Sequence, residues 1–250
     1  MTTLYSLILG PMLYLAVGVF LAGTAGRVWR MLRSPAFGVS LAIHVPGQAG
    51  RKGRRGWISV RLLAVRDALL LPTVLRHNAP LWAVLMLFHA GLAVLFLGHL
   101  ELVADIPVLR SFPHGAFTGK GAVGLTMLFC LAYLGARRLG SPVRELSVPE
   151  DYLLLALLFL TALFGAQMAW ARSWFGYETV TAADYRAWLQ GLLAFRPEAG
   201  LAGVAGAGHS FMLAAHVFLA NVLLMVFPFT KLMHAMFTFA LNAIRRGWPA

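Results

Sequence analysis

The sequence predicts an all-α integral membrane protein, and three observations carry that prediction. First, 60% of the 250 residues are apolar, 12% are charged, and the mean hydropathy is +0.75. A soluble domain holds about 45–50% apolar and about 25% charged residues, so water does not solvate most of this surface. Second, five apolar runs have helical length and are bounded mostly by charges or helix breakers. Third, the basic residues gather in alternate connections between those runs, which is how membrane topology is written in a sequence.

The elements follow in order. The first run, about 4–25, has no basic stretch before it and is followed by Arg27, Arg30 and Arg33. It reads as a retained helix and not a cleaved signal peptide. Residues 27–79 form a cytoplasmic loop. Within it, Val60 to Leu75 (VRLLAVRDALLLPTVL) predicts an amphipathic helix lying on the membrane surface or against a partner subunit. The run RKGRR at 51–55 fits a solvated or lipid-facing charge cluster. The second helix covers about 81–102, the third 121–139 and the fourth 152–171. An outer loop, 173–208, follows; its AADYRAWLQGLLAF portion predicts a short interfacial helix with Tyr185 and Trp188 at headgroup level. The fifth helix covers 211–239. No repeat or soluble domain interrupts the pattern, so residues 1–250 read as a single membrane domain.

Charge sets the predicted orientation. The segment between the first two helices holds ten basic residues, from Arg27 to Arg76, against one acid, Asp67. Arg137, Arg138 and Arg144 follow the third helix, and Lys231, Arg245 and Arg246 lie toward the C-terminus. The opposite side keeps Arg110, Lys120, Arg172, Arg186 and Arg196. By the positive-inside rule the N-terminus is outside and the C-terminus cytoplasmic. The net charge of +12 is therefore a topology signal and does not point to nucleic acid.

One cysteine, Cys130, rules out an internal disulfide, a cysteine-ligated iron–sulfur cluster, a multi-cysteine zinc site and a CxxCH haem attachment. Histidines are the remaining supply of redox ligands. The second helix carries His89 and His99, and the fifth carries His216 and His234. An ionisable group at membrane depth is costly unless partnered. Antiparallel passage pairs His99 with His216 near the outer face and His89 with His234 near the cytoplasmic face. Each pair can clamp one haem iron through two neutral imidazoles. The spacings are unequal: ten residues rise about 15 Å, whereas 18 residues rise about 27 Å. A distortion at Pro228 would help absorb the difference. Gly91 and Gly98 leave room for a porphyrin to approach the backbone. A bland reading stands beside this one: intramembrane histidines also hydrogen-bond across helices with no cofactor.

The stretches FHAGLAVLFLGHL (88–100) and AAHVFLANVLLMVFPFTKLMHAMF (214–237) resemble the gamma-subunit family of respiratory nitrate reductase. The resemblance extends to the RRLGSPVRELS connection at 137–147 and to the paired histidine spacings. It implies a five-helix, di-haem cytochrome b that exchanges electrons with quinone in the bacterial inner membrane. Residue by residue, it places the axial ligands on His89, His99, His216 and His234. SVPEDYLLL, YRAWLQGLLAF and HVFLANVLLMVFPFTKLMH look more like the cytochrome b subunits of Dsr-type sulfur-metabolism membrane complexes. That likeness implies a cytoplasmic iron–sulfur partner related to heterodisulfide reductase, with further membrane and periplasmic subunits.

Lys120 and His209 are candidate outer-face quinone contacts, and Asp105 and His114 candidate proton handlers in the same region. His44 and His77 fall in the cytoplasmic loop, away from redox work. Two rivals remain: a nitrate reductase gamma subunit with a different partner, and a haem-free anchor whose histidines relay protons. The scarcity of acids within the helices disfavours the second.

Overall fold

The computed structural model describes residues 2–33, 54–104, 107, 122–176, 180–206 and 210–245. The described elements are helical: α1 (Thr2–Leu9), α2 (Pro11–Arg33), α3 (Arg54–Leu70), α4 (Pro72–His77), α5 (Ala79–Val103), α6 (Ala122–Leu139), α7 (Pro149–Phe175), α8 (Ala182–Leu193), α9 (Leu201–Ala205), α10 (Ser210–Val226) and α11 (His234–Arg245), with short 3₁₀ turns between some of them. Four stretches are long and apolar enough to cross a bilayer: Leu4–Arg33, Ala79–Val103, Pro149–Trp170 and Ser210–Phe229. The hydrocarbon core needs about 20 residues at about 1.5 Å each. α6, with 18 residues, is shorter than those four.

The chain divides into two compact units, Met1–Gly18 with Val84–Met225, and Val19–Ala83 with Val226–Ala250. In the first unit, one core joins Ile8, Leu9, Trp188, Leu192, Val204, Leu213 and Val217. Two polar contacts tie its elements together. The Tyr14 hydroxyl donates to the Leu192 carbonyl at 2.7 Å, and the fully buried Asn221 donates through Nδ2 to the Ile8 carbonyl at 3.3 Å. A buried amide among apolar helices is a specific fastener, because no solvent competes for it. Trp188 is only 4% exposed, so its indole is packed within this core.

A second cluster of the same unit packs Val84 and Phe88 of α5 against Met127, Cys130 and Leu131 of α6, with Leu155, Leu158 and Phe159 of α7 around them. α6 and α7 are joined by a tightly bonded turn. Arg138 reaches the carboxylate of Asp151 at 3.1 Å and donates to the Ser147 hydroxyl at 3.0 Å. The Tyr152 hydroxyl donates to the Arg138 carbonyl at 2.8 Å. α7 starts with Pro149, whose missing N–H costs nothing in a first turn, while Asp151 accepts from the Val148 N–H at 3.1 Å.

In the second unit, α11 packs on α3. Gly23 of α2 lies under Pro228: a Cβ there would meet the proline ring at 2.7 Å and 2.9 Å. Phe20 and Phe227 meet edge to face with centroids 5.4 Å apart. The predicted amphipathic helix over 60–75 is two helices. α3 ends at Leu70, and Leu71 takes φ 43 before Pro72 starts α4. A residue before proline is pushed out of the right-handed helical region, so the break follows from the sequence Leu71-Pro72. The Trp82 indole N–H then donates to the Leu70 carbonyl at 2.7 Å, satisfying one of the orphan groups at that helix end.

The predicted fifth helix over 211–239 is likewise not continuous. α10 stops at Val226, 3₁₀ turns occupy Phe227–Phe229 and Lys231–Met233, and α11 begins at His234. Pro228 has no N–H to offer and its ring obstructs the preceding turn, and Thr230 adopts extended geometry, φ −117 and ψ 178. The first predicted helix runs further than expected, to Arg33, after a turn at Gly10.

Candidate functional site

α5 and α10 bring His99 and His216 together. Their ring centroids are 6.1 Å apart and their planes 21° apart. The Nδ1 atom of His99 bonds the Leu95 carbonyl one turn back at 2.7 Å, and that of His216 bonds the Thr161 carbonyl of α7 at 2.8 Å. A carbonyl only accepts, so in each ring Nδ1 carries the proton and the lone pair is on Nε2. This is the tautomer of an imidazole ready to ligate a metal, with its second nitrogen held by an outer partner.

The neighbourhood explains how the ring of His216 fits. Gly165 lies one helical turn after Thr161, and a Cβ there would meet Cε1 and Nδ1 of His216 at 3.1 Å and 3.2 Å. Glu101, two residues beyond His99, is only 5% exposed, and its carbonyl accepts from Nη2 of Arg186 on α8 at 3.0 Å. Glu101 is an acid inside the second apolar helix, against the expectation that such acids are scarce.

His89 also lies on α5, where its Nδ1 bonds the Leu85 carbonyl at 2.7 Å and its ring meets Phe88 edge to face at 5.2 Å. His234 opens α11 in the second unit, with Nδ1 on the Lys231 carbonyl at 2.9 Å. His77 of α4 has the same kind of bond, to the Thr73 carbonyl at 2.7 Å. The carbonyl anchor is therefore common to all of these imidazoles, and what sets His99 and His216 apart is the approach of their two rings. Lys120, His209, Asp105, His114 and His44 lie outside the described residues. Gly91 does not leave an open slot, because a Cβ there would meet Sδ of Met127 at 2.8 Å.

Sequence reasoning missed Thr161 and Gly165. Their only signal is a glycine one turn after a threonine inside an apolar helix, which resembles ordinary packing. Among the described residues no three or more His, Cys, Asp or Glu side chains converge on one point.

Outside the apolar stretches, α8 holds two shifted groups. Asp184 is kept below its ordinary value of 3.8, first by the Thr181 side chain and then by its backbone N–H. Tyr185 is pushed up to about 12, mainly by burial and then by the Asp184 charge, so its phenol stays neutral.

Four membrane-length apolar helices and a facing pair of imidazoles define a multi-pass, all-helical membrane protein. Residues 73–249 match the nitrate reductase gamma subunit family, and the chain belongs to that family. A comparison with curated proteins finds no match.

Proposed function

We propose that the chain is a di-haem cytochrome b subunit, one membrane domain of five spans with its N-terminus outside. In this reading it passes electrons between quinone at the outer face and a cytoplasmic iron–sulfur partner. Membership of the nitrate reductase gamma subunit family supports a membrane cytochrome b role in electron transfer. The observation that carries the reading is the His99–His216 pair, 6.1 Å between ring centres. At that separation the two imidazoles would have room for a metal ion between them. With both Nδ1 atoms on carbonyls, the donor set fits an axially ligated haem iron.

His99 and His216 would hold the outer haem b, and His89 and His234 the inner one. Bound there, each haem supplies a one-electron couple. The residues would do the rest: imidazole nitrogens would hold the iron, the carbonyls of Leu95 and Thr161 orient the outer rings, and apolar helices would keep water out. Lys120 and His209 serve the quinone at the outer face, where protons exchanged would link turnover to the membrane potential. The partner in this reading is a heterodisulfide-reductase-like iron–sulfur subunit of a Dsr-type sulfur-metabolism complex in the bacterial inner membrane. The sequence details at 147–155, 185–195 and 216–234 support it. A second reading, the gamma subunit of a nitrate reductase, is supported by the family match.

The test is a dithionite-reduced minus oxidised spectrum of the purified protein, with haem quantified per chain. Two b-type haems are expected, with loss of at least one in His99→Ala. Folded protein without haem would overturn the cytochrome reading and favour an anchor or proton relay. Affinity purification from native membranes separates the partners: a heterodisulfide-reductase-like subunit marks the first reading, a molybdenum catalytic subunit the second.

A further inference from the structure

We infer that Thr161 and Gly165 of α7 are positioning residues for His216, so that a helix bearing no ligand sets the orientation and redox poise of the outer site. The inference rests on the haem reading above.

The four ligand candidates are not anchored alike. His89 and His99 use the carbonyl four residues back on their own helix, and His234 uses the carbonyl three residues back. His216 uses Thr161, 55 positions away on α7. A bond within one helix moves with that helix and carries no information about its neighbours. A bond across helices fixes the ring relative to α7, and α7 must approach closely for it to form.

Gly165 permits that approach. A Cβ would come within 3.1 Å of Cε1 and 3.2 Å of Nδ1, with Nε2 at 4.0 Å. Both closer distances fall on the ring edge that carries the anchored nitrogen. Even one methyl group therefore requires the ring or the helix to give by a few tenths of an ångström, at the edge that holds the Thr161 carbonyl. The Thr161 hydroxyl is committed to the Leu157 carbonyl at 2.7 Å, leaving its own carbonyl as the ring's partner.

The chemical consequence follows from the direction of the bond. An Nδ1–H that donates to a carbonyl makes the imidazole more basic and favours the oxidised metal. Weakening this bond makes the ligand less electron-rich and raises the potential of the group it holds.

The experiment compares Gly165→Ala with Gly135→Ala in the full-length protein. Both place the same methyl group inside an apolar helix, but a Cβ at Gly135 meets nothing within 4 Å. The readouts are haem per chain, the low-spin electron paramagnetic resonance signals, and the two midpoint potentials. Gly165→Ala is expected to keep its haem, to shift one low-spin signal, and to raise one potential; Gly135→Ala is expected to change neither. Haem-loaded Gly165→Ala with both signals and both potentials at their native values overturns the cradle while leaving the cytochrome reading intact. A colourless wild type overturns both.

If Gly165→Ala does not accumulate, wild-type protein carries the test through hyperfine spectroscopy after transfer to heavy water. One Nδ1 proton of the outer ligands, shielded between α7 and α10, is expected to exchange more slowly than the other. Immediate exchange of both overturns the inference.

Discussion

Arg138 shows how much one side chain holds at the turn between α6 and α7. Its guanidinium meets a carboxylate, Asp151, that is only 5% exposed, and the Ser147 hydroxyl joins them. Arg138→Met is expected to lower stability by about 1–3 kcal/mol, since a desolvated carboxylate loses its charged partner and the pair is partly screened by solvent. Thermal unfolding in detergent checks this, and Arg138→Met combined with Asp151→Asn should recover part of the loss. At this scale the sequence was only partly legible. The histidines were visible because imidazoles in an apolar run have few innocuous explanations. Thr161 and Gly165 were not, because a carbonyl partner has no side-chain signature and a glycine in a helix signals many things. The packing of Trp188 was not legible for a similar reason: an aromatic residue near a helix end fits an interface and a core equally well.

Helix α8 carries its own start signal. Thr181 accepts from the Asp184 N–H at 3.3 Å, and Asp184 accepts from the Thr181 N–H at 2.9 Å, a reciprocal cap. Thr181→Ala should speed amide hydrogen exchange throughout residues 182–193 and leave α10 unaffected. Because the folded Asp184 pKa is depressed, its contribution is complete above the ordinary value of 3.8 and is lost only as the pH falls below it. Protection factors across α8, with the intrinsic pH dependence of amide exchange divided out, should therefore hold from neutral pH down to about 4 and fall in stronger acid. The existence of the long helices was legible from their apolar length, whereas their interruptions were less so. Leu71-Pro72 and Phe227-Pro228 read as apolar continuations until the missing proline N–H is counted, and then each marks a break.

Across the whole molecule, charge placement predicts a topology that can be read directly. A fluorescent protein fused after Ala250 should fold and fluoresce, and a periplasm-dependent phosphatase fused there should be inactive; the reverse result would place the C-terminus outside. The family match starts at residue 73, so α5, α6, α7, α10 and α11 fall within it, whereas α1 and α2 precede it. That division agrees with the chemistry, since all four histidine candidates follow residue 73. The bonded turn between α6 and α7 has a further consequence, for synthesis. It holds Arg137, Arg138 and Arg144 within a few residues of one another, and its hydrogen bonds form between segments that leave the ribosome almost together. Such a loop resists being threaded through a translocon, so α6 and α7 are expected to leave it together as one preformed hairpin. The order of assembly would then be written into a turn that touches no cofactor.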